Sequence, residues 1–475
     1  MADRQPRVAV IGGGVGGLAV AWRLEHSPNG DAPCPEVTVF EARPDVGGNL
    51  QTTVDGEYRV EWGPNGFLNS EPTTLELTTA AGIDDQLLRS SDLARRRFLF
   101  VRDSLREIPT SPGAFVRSDL FSARAKLRCC GEIFVPGRQD LGLAADDPAT
   151  DETVWAFARR RLGQEFADTM MDPMVRGITG GDCRRVSLAA AFPRMMELER
   201  DHGGLFRALV ALARKRRRRG KDAGGTGGPS GVLTAFRDGM QSLPRALAAG
   251  LRGRVLTGRA VTDLDMDDRG WWLTAGGESE GPFDAVVDAA PAHVAATYHP
   301  DAEARRLLRS IRYNPMVVVA VAFRDEDVVH ALDGFGMLTP STEDRPLLGV
   351  LWTSSIWEGR APAGIKLMRC MSGDPKWLDL DDDAIVSRTC DELHHIYGLR
   401  GHPVRTWVFR HPAAIAEYEV GHLARMDALQ RALSCSPGLF LAGSSYNGVA
   451  VNACFKHSEP VADAVRQYLV RRNSP

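Results

Sequence analysis

The chain has 475 residues, with 43% hydrophobic and 25% charged residues and a formal net charge of −3 at pH 7. This balance is typical of a globular protein of two or three domains, and the small net charge by itself neither indicates nor excludes a nucleic-acid partner. The eight cysteines occur without CxxC spacing or a neighbouring histidine cluster, so we expect no disulfide framework and no metal site.

The N-terminal region predicts a strand, a glycine turn, a helix, a second strand and an acidic residue. In order, these are residues 8–11, Gly12-x-Gly14-x-x-Gly17, residues 18–24, residues 37–40 and Glu41. This order is the dinucleotide-binding fingerprint. Gly12 permits the tight turn, Gly14 lets backbone N–H groups approach a pyrophosphate, and Gly17 lets helix and strand pack closely. Glu41 can accept a hydrogen bond from a ribose hydroxyl and would repel a 2′-phosphate, which argues against NADP.

Residues 116–215 predict helices, because their apolar residues recur at three- and four-residue spacing. The basic run 214–221 and a glycine-rich stretch follow. A solvated loop is the simplest interpretation of this run. A tether to an anionic membrane surface is the second, and a nucleic-acid contact is the weakest, because no aromatic residues are interleaved.

The second half of the chain predicts further strands. Residues 254–256, 260–265, 271–274 and 283–291 suit a continuation of the dinucleotide domain, and residues 310–410 suit a β-rich domain. Near the C-terminus, the strand 438–443 ends on glycine, and a helix is predicted over 460–470.

We expect a cytoplasmic protein that does not cross a membrane. The most apolar run, 316–323, has eight residues and predicts a buried strand rather than a membrane span. The N-terminal residues lead directly into the first strand, so no secretory or transit segment is expected.

Motifs beyond Glu41 resemble a known flavoprotein family. Gly47-Gly48-Asn49 and Glu61-Trp-Gly63-Pro64-Asn65-Gly-Phe67 resemble the FAD-binding half of the amine-oxidase superfamily, and the second motif narrows the resemblance to the protoporphyrinogen oxidase family. The resemblance continues along the chain through the segments 97–109, 172–182, 192–199, 334–340, 348–352, 360–362, 418–422 and 442–452.

This resemblance implies an α/β fold with a discontinuous, Rossmann-like FAD domain, an inserted α+β substrate domain and a helical, membrane-associating domain. The implied boundaries are 1–90, 232–300 and 412–475 for the FAD domain, 91–115 and 301–411 for the substrate domain, and 116–231 for the helical domain.

The implied reaction is a six-electron oxidation of protoporphyrinogen IX to protoporphyrin IX in haem biosynthesis. Three hydride transfers to flavin N5 take place, and O₂ is reduced to H₂O₂, so no protein side chain is needed as a nucleophile and no catalytic residue is assigned. The implied partners are the porphyrinogen, O₂, the inner face of the cell membrane as a peripheral contact and a ferrochelatase. No nucleic-acid partner is expected, and monomer and homodimer both stay open.

The resemblance also implies substrate contacts. Arg97 matches a position that binds a propionate, for which a guanidinium offers a planar, bidentate donor pair. The other implied contacts are Asn65, Arg176, Gly177, Leu338, Leu351 and Met371.

The FAD contacts divide by the part of the cofactor that they approach. The implied set is Gly12, Gly13, Gly14, Val15, Gly16 and Gly17 for the phosphates, Glu41 for the ribose, Val261 for the adenine, Asn49, Gly63, Pro64, Asn65 and Gly66 for the pyrophosphate and flavin, and Val449, Ala450 and Val451 for the flavin edge. Ala42 and Gly443 are further implied FAD contacts.

Two positions depart from the family pattern. Asp45 stands where an arginine is usual, so Arg43 is the candidate for the pyrophosphate contact. Ala453 stands where an aspartate is common, which removes a carboxylate near the start of the last helix.

Three alternatives to this function stay open. Coproporphyrinogen III, which carries two more propionates, is the first alternative as substrate. An amine oxidase or carotenoid desaturase is the second, although residues 313–319 lack the lysine that amine oxidases place near the flavin. A non-catalytic flavin or porphyrin carrier is the third.

Overall fold

The computed structural model describes residues 4–26, 34–138, 150–219 and 231–473, with the side chains of 215–219 and 473 left aside. Within these residues the strands are β1 (Arg7–Ile11), β2 (Glu36–Phe40), β3 (Thr52–Asp55), β4 (Tyr58–Glu61), β5 (Phe67–Leu68), β6 (Leu87–Arg89), β7 (Phe98–Val101), β8 (Ser104–Glu107), β9 (Leu233–Phe236), β10 (Arg254–Leu256), β11 (Val261–Asp267), β12 (Gly270–Ala275), β13 (Glu278–Phe283), β14 (Ala285–Asp288), β15 (Arg312–Arg324), β16 (Gly336–Leu338), β17 (Gly349–Leu351), β18 (Ile365–Ser372), β19 (Arg405–Glu417) and β20 (Leu439–Leu441).

The helices of the same residues are α1 (Val15–His26), α2 (Pro72–Ala80), α3 (Pro112–Arg117), α4 (Ala123–Cys130), α5 (Val154–Leu162), α6 (Gln164–Phe166), α7 (Asp172–Thr179), α8 (Leu188–Ala191), α9 (Pro193–His202), α10 (Leu205–Arg219), α11 (Ser242–Gly250), α12 (Ala292–Tyr298), α13 (Ala302–Arg309), α14 (Thr353–Ile356), α15 (Asp382–Tyr397), α16 (His422–Leu433) and α17 (Val451–Asn473).

A five-stranded parallel sheet forms the dinucleotide-binding part of the fold. Its strand order is β10-β2-β1-β14-β20, so three distant stretches of the chain contribute strands to one sheet. Val8 and Val10 of β1 pack on one side with α1, α11 and α17, whereas Ala9 and Ile11 pack on the other side with Trp271 and α12. Burial of both faces explains why these strands are almost wholly apolar.

A seven-stranded sheet, β19-β15-β18-β17-β16-β7-β8, builds the second part. The predicted strand 316–323 is the centre of β15, which pairs with β18 on one side and β19 on the other. Alternate residues of β15 face opposite ways. Val317, Val319 and Val321 pack in a core with α15, while Val318 packs in the core shared with the dinucleotide-binding part.

The last helix is longer than the prediction of 460–470. It begins at Val451 and continues through Pro460 to Asn473. Pro460 suggested a helix start, because proline is favoured in the first turn. The structure differs because Val451 and Phe455, which precede the proline, are buried in the same core as α1, and this packing outweighs the local preference of proline.

A buried ion network organises the helical region. Arg161 and Glu132 are fully buried and paired, and Arg161 also contacts Glu199 at 3.4 Å. Glu199 accepts from Arg160 at 2.7 Å, and Arg160 also pairs with Glu152. The predicted helices are present, and the first part of the basic run 214–221 lies in the last turns of α10, while 220–230 fall outside the described residues.

Candidate active site

The turn between β1 and α1 has the close backbone contacts that its glycines suggest. Gly12 has a φ of +103°, which side-chain-bearing residues rarely adopt. A Cβ on Gly17 would lie 2.1 Å from the Gly12 carbonyl oxygen, and one on Gly16 would lie 2.8 Å from Gly443 Cα. This tight turn leads into the α1 N-terminus, where backbone N–H groups and the helix dipole favour a phosphate.

Glu41 closes the adenosine end of this turn. Its carboxylate accepts from the backbone N–H of Gly13 at 2.6 Å and from that of Arg43 at 2.8 Å. Its carbonyl oxygen accepts from Arg259 N at 2.8 Å, which brings the start of β11, at Val261, to the same end of the sheet. Glu41 and Val261 therefore lie at the same end of the sheet, and their ribose and adenine contacts stay predictions.

Asp45 points away from the phosphate turn. Its carboxylate accepts from Gln241 Nε2 at 3.0 Å and from Arg245 Nε at 3.1 Å, so it is paired with α11. Arg43 instead donates to the Gly48 carbonyl oxygen at 2.7 Å, and the Gly47 N–H donates to the Gly13 carbonyl at 2.8 Å. The guanidinium of Arg43 thus lies beside the loop that covers the phosphate turn.

The buried side-chain amide of Asn65 indicates a binding site. Its Oδ1 and Nδ2 are both buried and have no hydrogen-bond partner among the described residues. Buried amides are normally satisfied, so an unpaired one indicates a missing partner. Nearby, a Cβ on Gly63 would lie 2.2 Å from the Asn49 carbonyl, while the Asn49 side chain donates to Ala414 O at 3.0 Å.

The C-terminal loop before α17 completes this side of the site. Tyr418 accepts from Gly448 N at 2.7 Å and donates to Ser444 O at 2.8 Å, which holds the loop that leads to Val449. Ala453 faces Gly448, where an added Cβ would lie 2.5 Å from the alanine methyl group. The small residue at 453 therefore packs against this loop, although it removes the carboxylate common at that position.

Four neighbouring strands, β15 to β18, form an apolar surface. Leu338 of β16 pairs with Gly349, Gly349 pairs with Met371, and Met371 pairs with Val318. Laterally paired residues point to the same face of a sheet. Leu351 lies two residues along β17 and shares that face, so the structure brings the three predicted apolar contacts Leu338, Leu351 and Met371 together.

Helix α7 packs over the edge of this surface at Gly177. A Cβ on Gly177 would lie 2.8 Å from Leu338 Cδ2. Arg176, the preceding residue, donates to the Thr339 carbonyl oxygen at 3.4 Å. Gly177 therefore allows the helix backbone to approach the apolar surface.

Arg97 differs from its two arginine neighbours. Arg95 pairs with Asp92 at 3.0 Å, and Arg96 pairs with Glu107 at 2.9 Å and also with Asp333. Arg97 forms no ion pair within the described residues, and its guanidinium carbon lies 5.2 Å from the ring centre of Phe335. Desolvation lowers the pKa of Arg97 from its usual value, which is the state of a cation that lacks a counter-ion.

Arg369 was not among the predicted site residues. It is buried on β18 two residues before Met371 and donates to the carbonyl oxygens of Glu61 at 3.1 Å and Trp62 at 3.2 Å. The available signal was a single arginine within the otherwise apolar strand 367–371. Sequence alone does not say whether such an arginine faces a core or a site.

One group of potential metal ligands is present in the described part of the chain. Side-chain atoms of Asp172, Asp182 and Cys183 lie within 4.8 Å of one another. However, Asp172 accepts from Ser341 N at 2.7 Å and from Cys183 Sγ at 3.5 Å, and desolvation raises the pKa of the Cys183 thiol. These contacts satisfy the group without an ion.

Comparison with known protein families shows to which family the chain belongs. The family model for flavin-containing amine oxidoreductases matches residues 15–466. The chain belongs to this family. Its cofactor is FAD, and the glycine turn, Glu41 and the unpaired Asn65 amide fit such a group. The predicted α/β flavoprotein fold is confirmed, whereas the predicted membrane association of the helical region stays a prediction.

Relatives in the flavin amine oxidoreductase family carry two related names. The chain is 28% identical over 480 residues to coproporphyrinogen III oxidase of Bacillus subtilis, covering 99% of this chain and all of the relative. It is 30% identical over 493 residues to human protoporphyrinogen oxidase, covering 96% and 98% of the two chains.

Solved structures share the fold at low sequence identity. A structure from Exiguobacterium sp. 255-15, named as a protoporphyrinogen oxidase, has a TM-score of 0.82 at 20% identity and covers 98% of this chain and 99% of that one. Reduced UDP-galactopyranose mutase has a TM-score of 0.70 at 14% identity, covering 97% and 95%. At these identities the likeness establishes the fold alone.

Proposed function

We propose that this flavoenzyme oxidises a porphyrinogen to the corresponding porphyrin. The observation that carries the proposal is Arg97, a cation that forms no ion pair within the described residues and lies beside the apolar surface of Leu338, Leu351 and Met371. A porphyrinogen combines a broad apolar ring system with carboxylates, so it complements both features. The names of the relatives support the same substrate class.

The protein residues bind and orient the substrate in this proposal. When bound, FAD would supply the redox chemistry, and three two-electron oxidations coupled to O₂ would remove six hydrogens and yield three H₂O₂. Leu338, Leu351 and Met371 contact the ring system, Gly177 gives the backbone close access, and Arg97 binds a propionate. Positioning of this kind accounts for much of the rate enhancement when a cofactor performs the chemistry.

We assign the FAD contacts by position. The turn Gly12 to Gly17 binds the phosphates, and Arg43 takes over the pyrophosphate contact of the usual arginine. The remaining proposed contacts are Glu41, Ala42, Val261, Asn49, Gly63, Pro64, Asn65, Gly66, Gly443, Val449, Ala450 and Val451. We retain the domain boundaries as part of the same proposal. They are 1–90, 232–300 and 412–475 for the FAD domain, 91–115 and 301–411 for the substrate domain, and 116–231 for the helical domain.

Protoporphyrinogen IX is the first candidate substrate. Its two propionates lie on one side of the ring, and Arg97, which forms no ion pair within the described residues, supplies a cation for that side. The product would pass to a metal-inserting enzyme, and a ferrochelatase is the partner that the family resemblance suggests.

One observation favours coproporphyrinogen III as a second candidate. Because β7 and β16 are parallel with Phe98 opposite Met337, Arg97 lies near the start of β16, by Phe335, whereas Arg176 contacts Thr339 beyond its end. The backbone positions that these two arginines approach, Phe335 and Thr339, are four strand residues apart, which corresponds to about 13 Å. Coproporphyrinogen III has a propionate on each ring, so carboxylates reach both ends of the surface.

We expect Arg176→Met to slow coproporphyrinogen III at least tenfold more than protoporphyrinogen IX, because only the former presents carboxylates at both ends. The measurement is the rate of flavin reduction after anaerobic mixing with each substrate. In the unchanged enzyme, faster reduction by coproporphyrinogen III contradicts the first candidate. Equal effects of the substitution on both substrates contradict the role of Arg176.

We also propose that the helical region contacts an anionic membrane surface. Val116, Leu127, Ile133 and Phe134 are exposed, with 84% of Phe134 accessible to solvent. Around them lie the cationic residues Arg117, Arg124, Lys126 and Arg207, with Lys126 donating to Val116 O at 2.8 Å and Arg207 to Ile133 O at 2.9 Å. Among the described helices none is long and apolar enough to cross a membrane, and this apolar–basic patch suits a peripheral contact.

Phe134→Asp is expected to weaken binding to vesicles of phosphatidylglycerol and phosphatidylcholine by about 10- to 100-fold, since a fully buried phenylalanine contributes about 1.5–3 kcal/mol. Co-sedimentation measures this effect. Val329→Asp is the control, because Val329 is 60% exposed and lies outside the patch. Deletion of 214–221 should weaken binding further at low salt. Unchanged binding by Phe134→Asp would contradict the proposed surface.

A further inference from the structure

Three buried charged groups lie beneath the turn that we assign to the flavin. Glu61 precedes the Gly63 to Gly66 turn, and its carboxylate pairs with Arg360 at 3.3 Å. The same carboxylate accepts from Thr52 Oγ1 at 2.7 Å and from Met240 N at 3.0 Å. These donors satisfy Glu61 without Arg369, the third member of the cluster.

Arg369 connects this cluster to the substrate surface. Its Nε and Nη2 donate to the carbonyl oxygens of Glu61 and Trp62, and its Nη1 lies 3.3 Å from Met371 Sδ. It is 6% exposed and forms no ion pair in the part of the chain that the structure describes. Its guanidinium therefore lies between the flavin turn and Met371.

The cluster carries a surplus of positive charge. Two guanidinium groups are present with one carboxylate, and burial lowers the pKa of Arg369 only to about 10, so the group stays protonated at neutral pH. His411 also faces this side of the sheet on β19. Burial and the Arg369 charge lower the pKa of His411 to about 4, so it is neutral and does not add to the surplus.

A buried charge without a counter-ion is costly. Asn65, two residues after Gly63, also has a side-chain amide without a hydrogen-bond partner among the described residues. The Arg369 charge and the Asn65 amide lie at the same turn. Both are explained if a group that gains negative charge binds against this turn. Reduced flavin gains such charge on accepting a hydride.

We propose that Arg369 is a positioning residue that holds the Glu61–Trp62 backbone against the flavin and supplies the positive charge that favours the reduced cofactor. This role rests on the flavin contacts proposed above for Gly63 to Gly66. Arg369 acts through field and backbone position and exchanges no proton with the substrate.

The test compares the affinity of the protein for reduced and oxidised FAD, measured as the midpoint potential by dye equilibration at pH 8. We expect Arg369→Gln to lower the ratio of these affinities at least tenfold, which corresponds to about 30 mV for a two-electron couple. Arg369→Lys keeps the charge and should stay within threefold of the original ratio, while FAD binding weakens in both variants. Arg410→Gln is the matched control, because Arg410 pairs with Asp382 beside α15, on the opposite face.

Two outcomes overturn the proposal. One is a ratio within twofold of the original for Arg369→Gln, and the other is an equal shift for Arg369→Lys and Arg369→Gln, which indicates a purely structural role. If Arg369→Gln does not fold, Glu61→Gln is the second variant. Loss of the only carboxylate of the three-residue cluster should raise the ratio of reduced-FAD to oxidised-FAD affinity at least threefold. An unchanged ratio in Glu61→Gln contradicts the proposal. No porphyrinogen is used, so the result is independent of the proposed substrate.

Discussion

Arg97→Met is expected to lower kcat/KM for the porphyrinogen about 10- to 150-fold. A hydrogen-bonded contact to a charged group contributes about 1.5–3 kcal/mol, and each 1.4 kcal/mol is a factor of ten. Because the carboxylate is remote from the carbon that reacts, most of the effect should appear in KM. Steady-state porphyrin fluorescence with varied substrate concentration measures both constants.

Arg95→Met is the control for Arg97. Arg95 is adjacent in sequence, but its side chain is 80% exposed and paired with Asp92, so its loss should change kcat/KM by less than twofold. The kcat/KM of Arg97→Lys should lie between those of Arg97→Met and Arg95→Met, because lysine keeps the charge and loses the bidentate geometry. Equal kcat/KM values for Arg97→Met and the unchanged enzyme would remove Arg97 from the substrate site.

Gly16→Ala is expected to weaken FAD binding at least tenfold and to lower the thermal midpoint. The added Cβ would lie 2.8 Å from Gly443 Cα, and no side-chain rotation relieves this contact because the backbone fixes the position of a Cβ and the contacted atom is itself backbone. Helix propensity alone predicts the opposite sign, since alanine inside α1 is favoured over glycine by about 1 kcal/mol. The sign of the change therefore distinguishes steric contact from propensity.

Titration of the apoprotein with FAD, followed by flavin fluorescence, measures the effect of Gly16→Ala. Gly131→Ala is the control, because Gly131 has a φ of −72° at the end of α4 and an added Cβ meets nothing within 4 Å. Tight FAD binding by Gly16→Ala, together with a higher thermal midpoint, would contradict the packing of α1 against the Gly443 loop.

Local signals were sufficient to predict the dinucleotide-binding unit. The apolar run before Gly12, the glycine spacing and Glu41 all lie within 34 residues of one another, from Val8 to Glu41, and each has a direct physical role in β1, α1 or β2. The end of this unit was less predictable. Pro460 suggested a helix start, whereas packing of Phe455 against α1 extends the helix to Val451.

The substrate surface could be predicted only through the family resemblance. Leu338, Leu351 and Met371 are ordinary apolar strand residues, and only the register of β16, β17 and β18 brings them to one face. Ion pairs between residues that are far apart in sequence could not be predicted from local patterns either. The partners of Arg96 and Asp45 include Asp333 and Arg245, which are 237 and 200 residues away in sequence.

We expect a porphyrinogen to reduce the flavin of this protein. Anaerobic mixing of the FAD-loaded enzyme with protoporphyrinogen IX, in a stopped-flow spectrometer, tests it most directly. We expect the oxidised flavin band to bleach, air to restore it, and three such cycles to release one fluorescent porphyrin. A flavin that protoporphyrinogen IX and coproporphyrinogen III both leave oxidised, in a protein that dithionite reduces normally, would contradict the proposed function.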